Sequence, residues 1–274
     1  MSEFSGHLHL RATQREDGKT RLVEQSFRAP FHLSKPYWDT DAKTLLVQIV
    51  NPTAGILAGD RLESRITVDE GASLLVTTPS ASRVFQMKDG TAECRQQFAV
   101  ASGGWLEVMP EPLVPHRGSR YRQITSVNVE TGGAVLFVDQ LMPGRVAHGE
   151  AWTWDRLCLE LEVMLAGKLI LRERLDQRGE DLRRLAELAG SGPAACFANA
   201  VLITQTGTDE PSWRCEIAAL HNEGLWVGVS ALVQGGWTIK LIATDSVRLR
   251  GALRALRKIL TGSFPQLACD PRKL

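Results

Sequence analysis

Apolar and polar residues alternate along most of the first half of this chain, which is the pattern of half-buried β-strands. In the segment RLESRITV, for example, Leu62, Ser64, Ile66 and Val68 fall on one face. The same pattern predicts strands at 7–13, 20–27, 45–50, 61–68 and 72–78. Glycine, proline and aspartate separate these runs, so we expect short turns between the strands.

Three similar units follow one another in the sequence: ITV-DEG-ASLLV, FAV-ASGG-WLEV and VNV-ETGG-AVLF. Each unit is a strand that ends in valine, a polar turn with glycine, and an outgoing apolar strand. The turn glycines Gly71, Gly104 and Gly133 recur at about thirty residues, and a looser fourth copy, LELEVM-LAGK-LILRER, turns at Gly167. The repeat predicts a mainly β protein of stacked antiparallel hairpins, with a solenoid-like or sandwich-like body.

Helical spacing is confined to the second half of the chain. The segment 181–188 predicts a short helix that ends before Gly190, and Pro193 can begin a second helix toward Ala200. Strands are predicted at 213–220, 225–232 and 237–243. The clearest helix is 245–261, with Asp245 or Ser246 as N-cap and Gly262 at its end. We expect the whole chain, 1–274, to form a single domain.

The helix at 245–261 has an apolar and a basic face. Its apolar face carries Leu249, Leu253, Leu256 and Leu260, and its basic face carries Arg250, Arg254, Arg257 and Lys258. A basic face of this kind is usually solvated. The alternative is an interface for a partner, because basic stripes without matching acids are less common than mixed ones.

Composition narrows the function classes. The 274 residues carry a net charge of +1, so no global field favours nucleic acid or an acidic membrane. Five scattered cysteines without a C-x-x-C pair indicate reduced thiols rather than disulfides or a structural zinc site. The N-terminus lacks the pattern of a secretion signal, and no apolar run is long enough to span a membrane. We therefore expect a cytoplasmic protein.

Familiar catalytic motifs are missing from the sequence. There is no G-x-S-x-G, no H-E-x-x-H and no dinucleotide fingerprint after a strand. The tripeptide Gly18-Lys19-Thr20 resembles the end of a phosphate-binding loop, but Thr13 stands where that loop needs its first glycine. We therefore expect no nucleotide site.

Four carboxylates stand out by their context: Asp60 after Gly59, Asp139 at the end of a strand, Glu173 inside LRERL, and Glu150 in HGE. Such acids usually form turns or pair with arginine. Carboxylates along a cavity can also bind a divalent cation weakly and release it. A carboxylate-dependent glycosidase, with Trp152 and Trp154 as sugar platforms, and a carbohydrate-binding β module remain alternatives.

One stretch carries a more specific pattern. It contains G-x-x-x-G-D-R-L from Gly55, a turn ending in Gly-Ala, and T-T-x-x-x-S-R-V-F from Thr77. In order and spacing this resembles the urease accessory protein UreD (UreH) family, where "GGDRL…GA…TTQAATKVY" recurs. The segment WLEVMP, the pair GR…GE and the strand LILRERL extend the likeness. The chain departs from the family at Pro79-Ser80 and at its end, Pro271-Arg272-Lys273-Leu274.

The resemblance implies a non-enzymatic scaffold for the maturation of a metalloenzyme, largely β with a helical portion in the second half. UreD-type proteins act as chaperones in nickel insertion: they bind apo-urease and UreF, and UreF recruits the GTPase UreG. No cofactor is bound tightly, and nickel passes in transit. On this view Asp60, Asp139 and Glu173 line a transient nickel passage.

Overall fold

The computed structural model describes residues 6–188, 190–204 and 212–272. About 50% of the chain is strand and 15% is helix, and the strands form a β-solenoid of about 4 turns. The mainly β, solenoid-like fold that the sequence predicts is therefore confirmed. Lys273 and Leu274, part of the unusual C-terminus, lie outside the described residues.

One face of the solenoid is a seven-stranded sheet. Its strands, in spatial order, are β17 (Lys168–Gln177), β16 (Arg156–Leu165), β12 (Arg120–Val129), β9 (Ala92–Val100), β6 (Arg61–Val68), β1 (Gly6–Gln14) and β2 (Thr20–Arg28). The five central strands β16, β12, β9, β6 and β1 pair in parallel.

The other face is an eleven-stranded sheet. Its main path is β19 (Leu225–Ala231), β20 (Gly236–Ala243), β18 (Cys196–Ile203), β13 (Ala134–Leu141), β10 (Trp105–Met109), β7 (Ser73–Thr77), β5 (Thr44–Val50) and β3 (His32–Leu33). Three short strands join it from the side: β4 (Tyr37–Asp39), β8 (Ser82–Val84) and β11 (Leu113–Pro115). Strands β14 (Gly144–Arg145) and β15 (Glu150–Ala151) form a separate pair.

The expectation of antiparallel hairpins is wrong for the solenoid body. Strands β6, β9 and β12 lead through the glycine turns into β7, β10 and β13, which belong to the opposite sheet. Each turn is therefore a corner, and each strand pairs in parallel with the equivalent strand of the next repeat. Antiparallel pairs are found toward the ends, as in β1–β2, β16–β17 and β18–β20.

The corners stack on one another through backbone hydrogen bonds. The amides of Ala101 and Glu130 donate to the carbonyls of Val68 and Val100 in the preceding corners, both at 2.9 Å. The glycines with positive φ at the equivalent corner position are Gly71, Gly103 and Gly132. The corner glycines equivalent to Gly71 are therefore Gly103 and Gly132, one residue before the predicted Gly104 and Gly133.

The helices are α1 (Gly179–Leu188), α2 (Ser212–Ala218) and α3 (Ser246–Thr261), with 3-10 turns at Val146–His148 and Pro265–Ala268. Helices α2 and α3 pack on the outer side of the eleven-stranded sheet, whereas α1 packs in a separate apolar cluster that includes Trp152 and Trp154. The predicted strands at 225–232 and 237–243 and the helices at 181–188 and 245–261 are confirmed. Asp245 caps α3 by accepting hydrogen bonds from the amides of Val247 and Arg248.

Two predictions for the second half are wrong. The segment after Pro193 forms β18 between β13 and β20 rather than a helix. The segment predicted as a strand at 213–220 is α2. Short apolar runs fit both periods, and here the open sheet edge and the packing of Trp213 and Ile217 into the helical core decide the outcome.

The two largest parts of the core lie on either side of the eleven-stranded sheet. Leucine, isoleucine, valine and phenylalanine from both sheets fill the solenoid interior, and a second apolar layer joins the eleven-stranded sheet to α2 and α3. The outer face of the seven-stranded sheet instead carries Arg–carboxylate pairs, such as Arg122–Glu160 and Arg156–Asp176. Within the described ranges, no helix is both long and apolar enough to cross a membrane.

Candidate functional site

The solenoid interior contains a row of polar side chains on the seven-stranded sheet. Ser64 of β6, Gln96 of β9 and Thr125 of β12 lie side by side in the parallel register. The Thr125 hydroxyl donates to Gln96 Oε1 at 3.1 Å, and the Tyr121 hydroxyl donates to Gln123 Oε1 at 3.2 Å. Such bonds offset the cost of burying polar groups, so this polar row is a stable part of the core.

A second row lies on the eleven-stranded sheet. Asp139 of β13 is opposite Asn199 of β18, and Asn199 is opposite Lys240 of β20. Glu173, from β17 of the other sheet, accepts hydrogen bonds from Asn199 Nδ2 at 2.7 Å and from Lys240 Nζ at 2.6 Å. Glu173 therefore joins the two sheets at the last turn of the solenoid.

Asp139 is the interior carboxylate with an unusual protonation equilibrium. Burial raises the pKa of its carboxyl from 3.8 to about 7; a hydrogen bond from Gln123 opposes this, and the charge of Glu173 adds to it. Asp139 is half-buried and lines a cavity. Near neutral pH, the protonated and the ionised form of this carboxyl are therefore both populated.

That cavity lies between the two sheets and has a volume of about 240 Å³. Its polar lining includes Ser64, Gln96, Gln123 and Asp139, and the charged residues Arg83 and Glu111 also line it. Cys94 also lines it, but burial raises the pKa of the thiol to about 12. The thiol is therefore protonated at neutral pH and is a poor metal ligand, since the thiolate is the form that binds metals. The cavity offers oxygen atoms rather than sulfur.

Asp60, the first of the predicted site residues, closes a loop outside this cavity. Its Oδ2 accepts a hydrogen bond from the Leu57 amide at 2.9 Å, and its own amide donates to the Leu57 carbonyl at 3.2 Å. The structure therefore brings Asp139 and Glu173 together but leaves Asp60 apart. A turn-forming role accounts for its contacts.

The same loop explains the spacing of the G-x-x-x-G-D-R-L and S-R-V-F segments. Ile56 pairs with Val84 in a parallel bridge, and the Ile56 amide donates to the Arg83 carbonyl at 2.8 Å. A Cβ on Gly55 would lie 2.6 Å from that carbonyl oxygen and 2.7 Å from the Phe85 ring. Glycine is needed at position 55 because the two segments are in direct contact.

A larger open groove, of about 1150 Å³, runs beside α3. It shares Thr77, Thr78, Pro110, Glu111 and Gln140 with the lining of the inner cavity, so the two spaces adjoin. Arginines and a lysine of α3 form one wall of the groove.

One member of the basic face is not solvated. Arg257 is 12% exposed and donates to both carboxylate oxygens of Glu107, which is fully buried, at 2.7 and 3.0 Å. It also donates to the Cys269 carbonyl at 2.9 Å. Arg257 therefore fixes α3 and the C-terminal segment to β10, while the other cations of the face remain exposed.

The contacts of the remaining candidates, Glu150, Trp152 and Trp154, indicate structural roles. Glu150 pairs with Arg145 at 2.7 Å. Trp152 and Trp154 are 4% and 3% exposed, and their ring centroids lie 5.4 Å apart. Neither indole presents a face to a sugar, so the platform suggested for the glycosidase alternative does not exist.

Within residues 6–188, 190–204 and 212–272, no group of three or more His, Cys, Asp or Glu side chains could hold a metal ion.

Sequence reasoning missed the polar groups Gln96, Gln123 and Asn199, and it also missed Lys240, the exposed cation that pairs with Glu173. The available indication was a polar residue at an inward-facing position of an otherwise apolar alternation, as at Gln96 between Cys94 and Phe98. Only the register shows that such residues from different repeats are neighbours.

Comparison with known proteins gives a consistent result. The family model described as UreD urease accessory protein matches residues 5–273. The urease accessory protein UreD of Opitutus terrae is 66% identical over 272 residues, which cover 99% of this chain and 100% of that protein. The corresponding protein of Yersinia pseudotuberculosis is 34% identical over 264 residues, covering 93% and 81%. That of Acetivibrio thermocellus is 26% identical over 255 residues, covering 92% and 96%.

Proposed function

Because this chain belongs to the UreD family of urease accessory proteins, we propose that it acts in urease maturation as a non-catalytic scaffold through which nickel passes to the urease active site. The observation that carries this proposal is the polar lining inside the solenoid, which includes Asp139, a carboxylate whose pKa burial raises to about 7. An apolar core would be simpler to pack, since every buried polar group needs a partner.

The oxygen atoms of the cavity lining suit the transit of a nickel ion rather than its storage. Carboxylate and amide oxygens bind a first-row divalent ion more weakly than imidazole or thiolate. Asp139 releases a proton near neutral pH, so arrival of a divalent cation can displace that proton and its departure can restore it. The carboxyl thereby avoids an uncompensated negative charge in the core when no cation is present.

The geometry supports a route with two ends. One end is the groove beside α3, which adjoins the inner cavity at Thr78 and Glu111. The other passes from Asp139 to Glu173, whose charge influences the Asp139 carboxyl. The Lys240 ammonium pairs with Glu173 at 2.6 Å, so a cation leaving by this end must displace it. Asp60 has no part in this route.

The partners follow from the family. We propose that the chain binds apo-urease and a UreF-type accessory protein, and that a UreG-type GTPase is recruited through the F partner. Nucleotide hydrolysis then belongs to that GTPase. The chain itself holds no cofactor tightly and carries nickel only in transit.

The test is urease activation by Asp139→Asn at limiting nickel. Asparagine keeps the shape of the side chain but neither ionises nor exchanges a proton, so we expect several-fold less nickel in urease while pull-down with urease and the accessory partners is unchanged. Asp60→Asn is the matched control, because it changes the same atoms outside the cavity and should activate normally. Full activation by Asp139→Asn at limiting nickel would refute the passage. Loss of the complexes would indicate a structural role instead.

A further inference from the structure

Three exposed cations of α3 form a stripe along the groove. Arg250, Arg254 and Lys258 are spaced four residues apart and all line it. In the part of the chain that the structure describes, none of the three forms an ion pair or a side-chain hydrogen bond, whereas Arg248 and Arg257 on the same helix are paired. Since the net charge of the chain is only +1, this local excess is not a general property of the surface.

The acidic groups in the groove are already engaged. Glu111 pairs with Arg272 at 3.6 Å, Asp245 caps α3, and Asp270 accepts a hydrogen bond from the Arg272 amide at 2.9 Å. Within the described residues, none of these acids forms an ion pair with Arg250, Arg254 or Lys258, so the positive charges of the stripe have no direct partner inside the groove.

We propose that this groove binds an acidic segment of a partner protein, with its carboxylates on Arg250, Arg254 and Lys258. Positions four apart on a helix are separated by about 6 Å along its axis. Alternate residues of an extended segment lie about 6.5–7 Å apart, so a segment with acidic residues at every second position matches the stripe. The inference rests on the proposed scaffold function, which requires partner surfaces.

The groove lining favours a protein segment over other anions. Its volume of about 1150 Å³ lies above the ~300–1,000 Å³ of small-molecule pockets. Met109, Val114 and Val146, which are at least partly exposed, add apolar surface to the lining. None of its described lining residues is aromatic, so there is no ring on which nucleic acid bases could stack.

The first experiment measures binding of a fluorescent peptide of alternating glutamate and alanine to the full chain. We expect salt-sensitive binding that weakens about tenfold in the triple variant Arg250→Glu, Arg254→Glu, Lys258→Glu, the effect of three exposed ion pairs together. The matched control reverses Lys19, Arg21 and Lys168, three exposed cations that do not line the groove. This control variant has the same net charge as the groove variant, and it should bind the peptide as the unmodified chain does.

Three results would overturn the inference: equal weakening in both triple variants, equal binding of a glutamine–alanine peptide, or preferential binding of an oligothymidylate. The second experiment separates this inference from the function. If the groove variant binds urease and its accessory partners and activates urease normally, the acidic segment does not belong to those partners, and the inference fails while the function stands. If the unmodified chain does not support activation but the peptide results hold, the function fails and the groove assignment stands.

Discussion

Replacing Asp139 with asparagine is expected to stabilise this protein at neutral pH and to leave its stability unchanged in acid. The pKa of the Asp139 carboxyl rises from 3.8 to about 7 on folding. The folded chain therefore holds this proton more tightly than the unfolded chain. For such a group, the free energy of unfolding falls as the pH rises from about 4 to about 7. Asparagine cannot ionise, so the variant escapes this loss.

The size of the effect follows from the shift. About three pKa units at about 1.4 kcal/mol each set an upper limit of about 4 kcal/mol above pH 7. Because the carboxyl lines a cavity, local screening reduces this cost, and we expect about 2 kcal/mol. For a chain of this size, that difference corresponds to a rise of about 4–8 °C in Tm.

The assay is denaturant unfolding followed by tryptophan fluorescence at several pH values between 4 and 8. The difference between Asp139→Asn and the unmodified chain should be near zero at the acid end and should grow up to about pH 7. Asp60→Asn serves as control and should only destabilise, by about 0.5–1.5 kcal/mol, because it weakens the bond to the Leu57 amide. A variant that is less stable than the unmodified chain at pH 8, or a difference independent of pH, would refute the reasoning.

Three further predictions concern packing and assembly. Arg257→Ala leaves the Glu107 carboxylate buried without its partner and should cost about 3–5 kcal/mol in denaturant unfolding; a loss below about 1 kcal/mol would contradict the buried pair. Gly55→Ala should cost about 1–3 kcal/mol more than Gly59→Ala, because both glycines have positive φ but only the first has a carbonyl oxygen within 3 Å of the added Cβ. The isolated chain should self-associate, and co-expression with an F-type partner should prevent this; a monodisperse monomer at high concentration in light scattering would count against a docking surface.

Local sequence was sufficient to predict most of the elements. Strands β6, β7 and β19 and helix α3 lie where alternation, turn residues and the Asp245 cap predicted them. These features depend on interactions within a few residues, such as the left-handed backbone that glycine adopts at Gly71. The motif around Gly55 and Thr77 likewise sufficed to identify the family.

Which strands pair, and whether they run parallel or antiparallel, was decided by the tertiary structure and not by the alternation of apolar and polar residues. Alternation indicates which face of a strand is buried, but parallel and antiparallel strands alternate in the same way. It therefore cannot distinguish the corners of this solenoid from hairpins. The partner of a strand depends on where the next repeat lies, and this also determined that the segment after Pro193 completes a sheet as β18.

The candidate site was decided in the same way. The sequence alone does not distinguish Asp60 from Asp139, since each is an acid beside a strand. The fold places Asp60 in a loop where it satisfies an amide, and it places Asp139 between two sheets beside Gln123 and Glu173. Ionisation depends on burial and on charges brought near from distant parts of the chain. The sequence therefore determined which residues carry ionisable groups, and only the packing of the solenoid raised the pKa of the Asp139 carboxyl.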